Sequence, residues 1–267
     1  MCHLAMIFRG KGTYNAACSF PSGYRLTGSS AGPGTDSKSI SHVPTGISKL
    51  DASIVGYPKG RTTLIMGGAG SGKTILSLHF LNAACERGEQ CVQVLTEEDK
   101  DDVFSQAWSF GWDFEKFEKA GTLSVFEILP ERVGGMRLPE NFQDFVQHMR
   151  VPKGAHLVVD NMSVFGMSLE AVRFRERMDI LVYRLKQEGC TTLLVYDEDV
   201  EDTVRSALTH ASFSVLRLFK RDNPFTDRRE RIMEVVKMRG TRVPSSYIYY
   251  DIGDEGMYLI TESSNGN

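Results

Sequence analysis

The chain is expected to fold as an α/β domain: a mainly parallel, twisted sheet with helices on both faces and an antiparallel extension toward the C-terminus. Three observations predict this. Short apolar runs alternate with helical patterns from Val43 onward, the helical patterns close on glycine, and after Thr209 four strand-like runs follow one another with only turns between them.

Residues 1–42 come first and carry no sustained period; they end in "GSSAGPGTDSKSISH". Their Ser, Gly and Pro content predicts a flexible tail, set before a folded domain at 43–261 and a short C-terminal tail at 262–267. Asp36 is the sole acid there, against Arg9, Lys11, Arg25 and Lys38. That bias also suits an organelle transit peptide, but the stretch shows no amphipathic Arg-rich helix, so a plain extension or an early start codon is the simpler expectation.

The parallel strands are read from "TTLIMGG" (62–68), "CVQVLTEE" (91–98), "TLSVFEI" (122–128), "HLVVD" (156–160) and "TTLLVYD" (191–197). Each is short and mostly apolar, as strands buried on both faces are. Between them, "TILSLHFLNAACERG" and "LEAVRFRERMDILVYRLKQEG" repeat apolar residues at three and four and end at glycines placed to cap a helix. The runs "FSVLRLF", "RIMEVVKM", "SYIYYDI" and "GMYLI" should then extend the sheet in antiparallel fashion.

Bulk properties narrow the function classes. A hydrophobic fraction of 41% is ordinary for a globular protein, and no apolar run approaches the roughly 20 residues that cross a bilayer. With no secretory signal either, the cytoplasm is the expected compartment. Cys2, Cys18, Cys85, Cys91 and Cys190 form no C-x-x-C pair and are expected to be reduced packing residues. A net charge of −3 gives no overall reason to expect nucleic acid. His79, His148 and His210 lack partners at metal spacing, and Trp108 and Trp112 in "WSFGWDF" are expected to pack around the helix end at Gly111.

The chemistry starts at "GGAGSGKT", that is Gly67, Gly68, Ala69, Gly70, Ser71, Gly72, Lys73 and Thr74. This is G-x-x-x-x-G-K-[ST] after a strand and at the start of a helix. In that setting backbone N–H groups cradle phosphates, Lys73 reaches the terminal phosphates and Thr74 offers its hydroxyl to magnesium. Asp160 closes the strand "HLVVD" at the edge where such sheets bind ligands, and is the natural second partner of the metal. Glu97 and Glu98 close the strand after the loop helix. Successive strand residues point to opposite faces, so one of the two is expected to face the γ-phosphate and to orient or deprotonate a water. Asp99, Asp101 and Asp102 are left to cap the helix that follows.

Taken together and in order, "VPTGISKLD", "GGAGSGKT", "TEED", "SFGWD", "HLVVDN", "LKQEGCTTLLV" and "RRERIMEVVKMRGT" resemble the KaiC-like branch of the RecA superfamily of ATPases over residues 43–261. The resemblance implies a RecA-like core binding ATP and Mg2+, with Glu97 and Glu98 as the catalytic pair. It also implies a homo-oligomeric ring of six in which Lys237 and Arg239 reach the neighbour's nucleotide, with Met238 and Thr241 beside them. Cations at a transferring phosphate accelerate transfer, and a finger given in trans ties hydrolysis to assembly. The chain departs from the family at "ASIVGYPKG", where a Gly-rich turn is usual, at Val243, where His is frequent, and at Asp197 and Glu198, where extra negative charge would weaken ATP or hold a second cation.

The expected function is a regulatory or signalling ATPase acting on a protein partner that the sequence does not name. Alternatives are a non-hydrolysing ATP-dependent scaffold and a DNA-binding recombination ATPase. The latter rests on residues 218–242, with eight Lys or Arg against four Asp or Glu plus Phe219 and Phe225. Autophosphorylation at Thr209, Ser212 or Ser214 is a further alternative.

Overall fold

The computed structural model describes residues 40–128, 151–166, 171–198, 202–224 and 228–260. Most of the expected N-terminal tail (residues 1–39), the C-terminal segment 262–267, Cys2, Cys18, His148 and Phe225 lie outside them.

Strand β1 (His42–Val43) pairs antiparallel with β2 (Tyr57–Pro58) around helix α1 (Ser48–Ile54). A nine-stranded sheet follows, in the order β11-β10-β9-β8-β3-β7-β6-β4-β5. Its parallel half is β3 (Thr62–Gly67), β4 (Cys91–Leu95), β5 (Leu123–Glu127), β6 (His156–Asp160) and β7 (Thr191–Asp197), within the runs expected from sequence. Helices α2 (Lys73–Glu86), α3 (Lys100–Ser109), α4 (Phe114–Lys119), α5 (Ser163–Gly166) and α6 (Ala171–Gln187) connect them. The residues Gly88 and Gly189 that follow α2 and α6 take φ of 74° and 72°, the left-handed conformation their capping role requires.

Strand β3 shows how the two faces are filled. Ile65 packs with Leu50, Leu76 and Phe80 on the α1–α2 side, while Leu64 and Met66 pack with Phe174, Met178, Leu181 and Leu185 of α6 on the other. A strand that must be apolar in both directions has no room for alternation, which is why these runs read as continuous hydrophobic segments.

The C-terminal part differs from expectation in one respect. Helix α7 (Asp202–Ala211) precedes β8 (Ser214–Asn223) and buries Val204, Ala207 and Leu208 on one stripe. Because α7 is a crossover, β8 runs parallel to β3; only β9 (Arg228–Met238), β10 (Ile248–Gly253) and β11 (Gly256–Leu259) continue antiparallel. Strand β8 had been expected to be antiparallel, and a ten-residue helix supplies the length that reverses the chain. A β-bulge between Val215 and Leu216 of β8 leaves Val236 of β9 unpaired, just before Lys237.

The altered turn after α1 is built on Val55, which takes φ 66° and donates its backbone N–H to the Asp51 carbonyl. Gly56 follows at φ 100°, where a Cβ would lie 2.3 Å from the Val43 carbonyl oxygen.

Candidate active site

Strand β3 ends at Gly67 and α2 begins at Lys73, so the loop between them lies at the C-terminal edge of the parallel strands. Gly67 is dictated by the sheet. It pairs with Leu218 of β8, and a Cβ here would stand 2.1 Å from the Leu218 carbonyl oxygen. Lys73 Nζ donates to the carbonyls of Gly67 at 2.8 Å and Gly68 at 3.0 Å, so its ammonium sits inside the loop. The Tyr250 hydroxyl, from β10, donates to the Ser71 carbonyl and buttresses the loop from outside. Ser71 Oγ is buried without a hydrogen-bond partner among the described residues.

Strand β6 delivers Asp160 beside Thr74, whose side chain hydrogen-bonds to its carboxylate. Burial pushes the Asp160 carboxyl up to about 6; the Thr74 bond and Lys73 pull against this, and the charges of Glu98 and Glu97 add to it. Burial also raises Glu98, with the negative charges of Asp102, Glu97 and Asp99 reinforcing it. Lys73, Thr74, Asp160, Glu97 and Glu98 are therefore brought into one electrostatic cluster. A carboxylate held above its ordinary range by burial and then by two neighbouring acids, next to a hydroxyl, suits a divalent cation, whose charge offsets all three.

Two residues that sequence reasoning passed over hold this cluster in place. Thr96 Oγ1 accepts from the Asn161 N–H at 2.8 Å and donates to the Asn161 carbonyl at 2.9 Å, clamping the ends of β4 and β6 together. Asn161 Nδ2 then donates to Glu97 Oε2 at 3.2 Å, and Asn161 Oδ1 accepts from the Ser163 N–H at 2.7 Å. The Asp160–Asn161 peptide bond is cis. Asp99 caps α3 by accepting from the Asp102 N–H at 2.9 Å, as expected.

Lys237 and Arg239 do not join this cluster within the subunit. Both line a cavity of about 720 Å³ between β9 and α7, shared with Thr209, His210, Arg217 and Glu198. Lys237 Nζ donates to the Thr209 carbonyl, Arg239 approaches the His210 carbonyl at 3.5 Å, and Met238 between them is buried. Burial, then Arg239, lowers the affinity of Lys237 for its proton. Thr241 Oγ1 lies 2.9 Å from His42 Nε2, and Val243 packs against the core on the α2 side.

Several expectations change. Glu198 is bound by Arg217 through contacts of 3.0 and 2.8 Å, with Arg205 at 3.7 Å, so arginines take up the charge that had been assigned to a second cation. Ser212 and Ser214 are fully buried, Ser214 Oγ within 2.6 Å of Thr63 Oγ1, which removes both from access by a phosphoryl donor. On the hairpin, Arg221 pairs with Glu230, Arg229 with Asp222 and Arg231 with Asp251, leaving less cationic surface for a nucleic acid than the count implies. Trp112 packs on His79 and Phe110 as expected, but Trp108 is 66% exposed. Its place on α3 faces away from the sheet. His79 is a packing residue: its Nε2 accepts from the Met257 N–H at 2.8 Å, and burial lowers it to about 4. Cys85, Cys91 and Cys190 are buried free thiols. Among the described residues no helix is long and apolar enough to cross a membrane.

Known proteins are similar to this chain. The model of the family described as "ATPase: KaiC" matches residues 43–264. The circadian clock oscillator protein KaiC of Synechococcus elongatus is 32% identical over 219 residues, covering 78% of this chain and 42% of its own length. The corresponding protein of Nostoc sp. is 30% identical, covering 78% of this chain and 42% of its own length. The chain thus spans less than half the length of these relatives. Among solved structures, a KaiC-like protein of the hyperthermophilic archaeon Pyrococcus horikoshii OT3 superposes with a TM-score of 0.71 at 28% identity, covering 83% of this chain and all of that one. With a RecA-like core, a phosphate loop and a family match across most of its length, the chain belongs to the KaiC family of ATPases.

Proposed function

We propose that the chain binds Mg-ATP at the Gly67–Thr74 loop and hydrolyses it within a homo-oligomeric ring of six, as a switch that acts on a protein partner. The observation that carries this reading is the gathering of Lys73, Thr74, Asp160 and the glutamate pair at one sheet edge, with Asp160 held up to about 6 by burial and by the pair. Gly67 to Gly72 would supply backbone N–H groups to the phosphates, and Lys73 would exchange its two carbonyl contacts for phosphate oxygens. Thr74 and Asp160 would hold magnesium, which when bound neutralises charge on the terminal phosphates.

Glu97, fixed by Asn161, orients the attacking water. Glu98, whose affinity for a proton is raised, accepts its proton. Lys237 and Arg239 share a cavity away from their own loop, which supports a role at the nucleotide of an adjacent subunit, with Met238 and Thr241 beside it. The Glu pair favours hydrolysis over a purely structural use of ATP.

Native mass measurement with and without ATP, with phosphate release followed in the same sample, tests the proposal. A hexamer with magnesium-dependent release that rises steeply with protein concentration is expected. A monomer with concentration-independent turnover would refute the ring, and ATP-dependent assembly without release would establish a scaffold instead.

A further inference from the structure

The phosphate loop has a second lysine over it. Lys220 Nζ, from β8, lies 3.5 Å from the Ala69 carbonyl oxygen, and a methyl group at Gly70 would come within 3.0 Å of it. The placement follows from the sheet. Leu218 is the β8 partner of Gly67, and residues two apart on a strand point to the same face, so Lys220 projects over the chain that leaves β3.

Three facts set Lys220 apart from ordinary surface charge. Its cross-strand partner on β9 is Arg231, and like charges directly opposite one another on a sheet are unfavourable. Arg231 is relieved by Asp251 at 3.1 Å, and the neighbouring Arg221 and Arg229 have Glu230 and Asp222; Lys220 forms no ion pair among the described residues. Its side-chain hydrogen bond goes to a carbonyl oxygen of the loop, at the outer limit of such a bond. A cation held against a like charge without a carboxylate, at the lip of an anion-binding loop, is completed by an anion in that loop.

We propose that Lys220 is a phosphate contact supplied by the same subunit, additional to Lys73, closing over the nucleotide from the β8 side at Ala69 and Gly70. This rests on the reading of the loop as an ATP site. Lysine, a compact point charge on a flexible stem, suits a group that follows a phosphate oxygen rather than fixing its geometry.

Affinities of the 267-residue chain for fluorescent ATP and ADP analogues, with magnesium, test this in wild type, Lys220→Gln, Lys220→Arg, Lys73→Ala and Lys119→Gln. The last removes a lysine of α4 as a charge control. Lys220→Gln is expected to weaken binding about tenfold, with Lys220→Arg recovering most of the loss and Lys119→Gln within about twofold of wild type. A larger loss for ATP than for ADP assigns the contact to the terminal phosphate, and an equal loss assigns it to the phosphates the two nucleotides share. If Lys220→Gln binds both like wild type while Lys73→Ala binds neither, the Lys220 contact is overturned and the ATP site stands. If wild type binds neither nucleotide, the ATP site itself falls.

Discussion

Asn161 Nδ2 stands 3.2 Å from Glu97 Oε2, so the residue that follows the carboxylate Asp160 also fixes one member of the glutamate pair. Substrate water can be oriented by a carboxylate only if that carboxylate is itself held. Asn161→Ala is expected to lower kcat for ATP about tenfold with little change in KM, because Glu97 loses its anchor while the loop is untouched. Glu98→Gln should cost about a hundredfold in kcat, through loss of the proton acceptor. Steady-state phosphate release on both variants checks this, and an unchanged kcat in Asn161→Ala would remove the orienting role.

Lys237 and Arg239 are predicted to act on another subunit. Arg239→Ala should lower hydrolysis by at least about a hundredfold in the assembled protein. Mixing it with Glu98→Gln, itself slowed about a hundredfold, should restore part of the activity, because some interfaces in mixed rings combine an intact pair with an intact finger. No recovery on mixing, in rings shown by native mass to contain both variants, would place the two sets of residues in the same subunit.

Asp160 makes stability depend on pH in a defined direction. Its carboxyl, ordinarily near 3.8, stands at about 6 in the folded chain. Between those values the folded state keeps a proton that the unfolded chain has released, so stability falls as pH rises and the whole loss is present above about pH 6. Asp160→Asn should therefore stabilise the nucleotide-free protein at pH 7–8 by about 1 kcal/mol, allowing for screening at a partly exposed group, and by nothing below about pH 4. His79, lowered from 6.5 to about 4, acts oppositely, since its stabilisation is lost as pH falls through that window. The difference between the denaturation curves of variant and wild type cancels the His79 contribution.

Val55 carries a backbone conformation that suits glycine. Its φ of 66° is costly for a β-branched residue, and its side chain is 62% exposed, so little packing offsets the cost. Val55→Gly is expected to raise unfolding stability by about 1 kcal/mol, read from the denaturant midpoint at constant slope.

The parallel half of the sheet was legible because buried strands leave an uninterrupted apolar signature, and the loop because its glycines and lysine fall at fixed spacing between a strand and a helix. Asp160 and the glutamate pair were legible as acids at strand ends. Helix α7 was not: its buried stripe is only Val204, Ala207 and Leu208, set among charges, and without it β8 could not be recognised as parallel. Thr96, Asn161, Tyr250 and Lys220 were assigned no site role for a different reason. Each takes part in the site through polar contacts between segments distant in sequence, as in Tyr250 to Ser71 and Thr96 to Asn161, and local pattern holds no trace of such pairings. Lys237 and Arg239 were placed on one face correctly, but their contacts with Thr209 and His210 depend on α7 and were equally out of reach.

The closeness of Leu218 to Gly67 bears on how such loops decay in evolution. With a Cβ at 67 meeting the Leu218 carbonyl at 2.1 Å, any larger residue there splits β3 from β8 before it affects a phosphate. A descendant that had abandoned nucleotides would still be under selection to keep this glycine, while Lys73 and Thr74 drifted. In degenerate members of the family, the lysine and threonine are therefore the informative positions, and the first glycine records only the survival of the sheet.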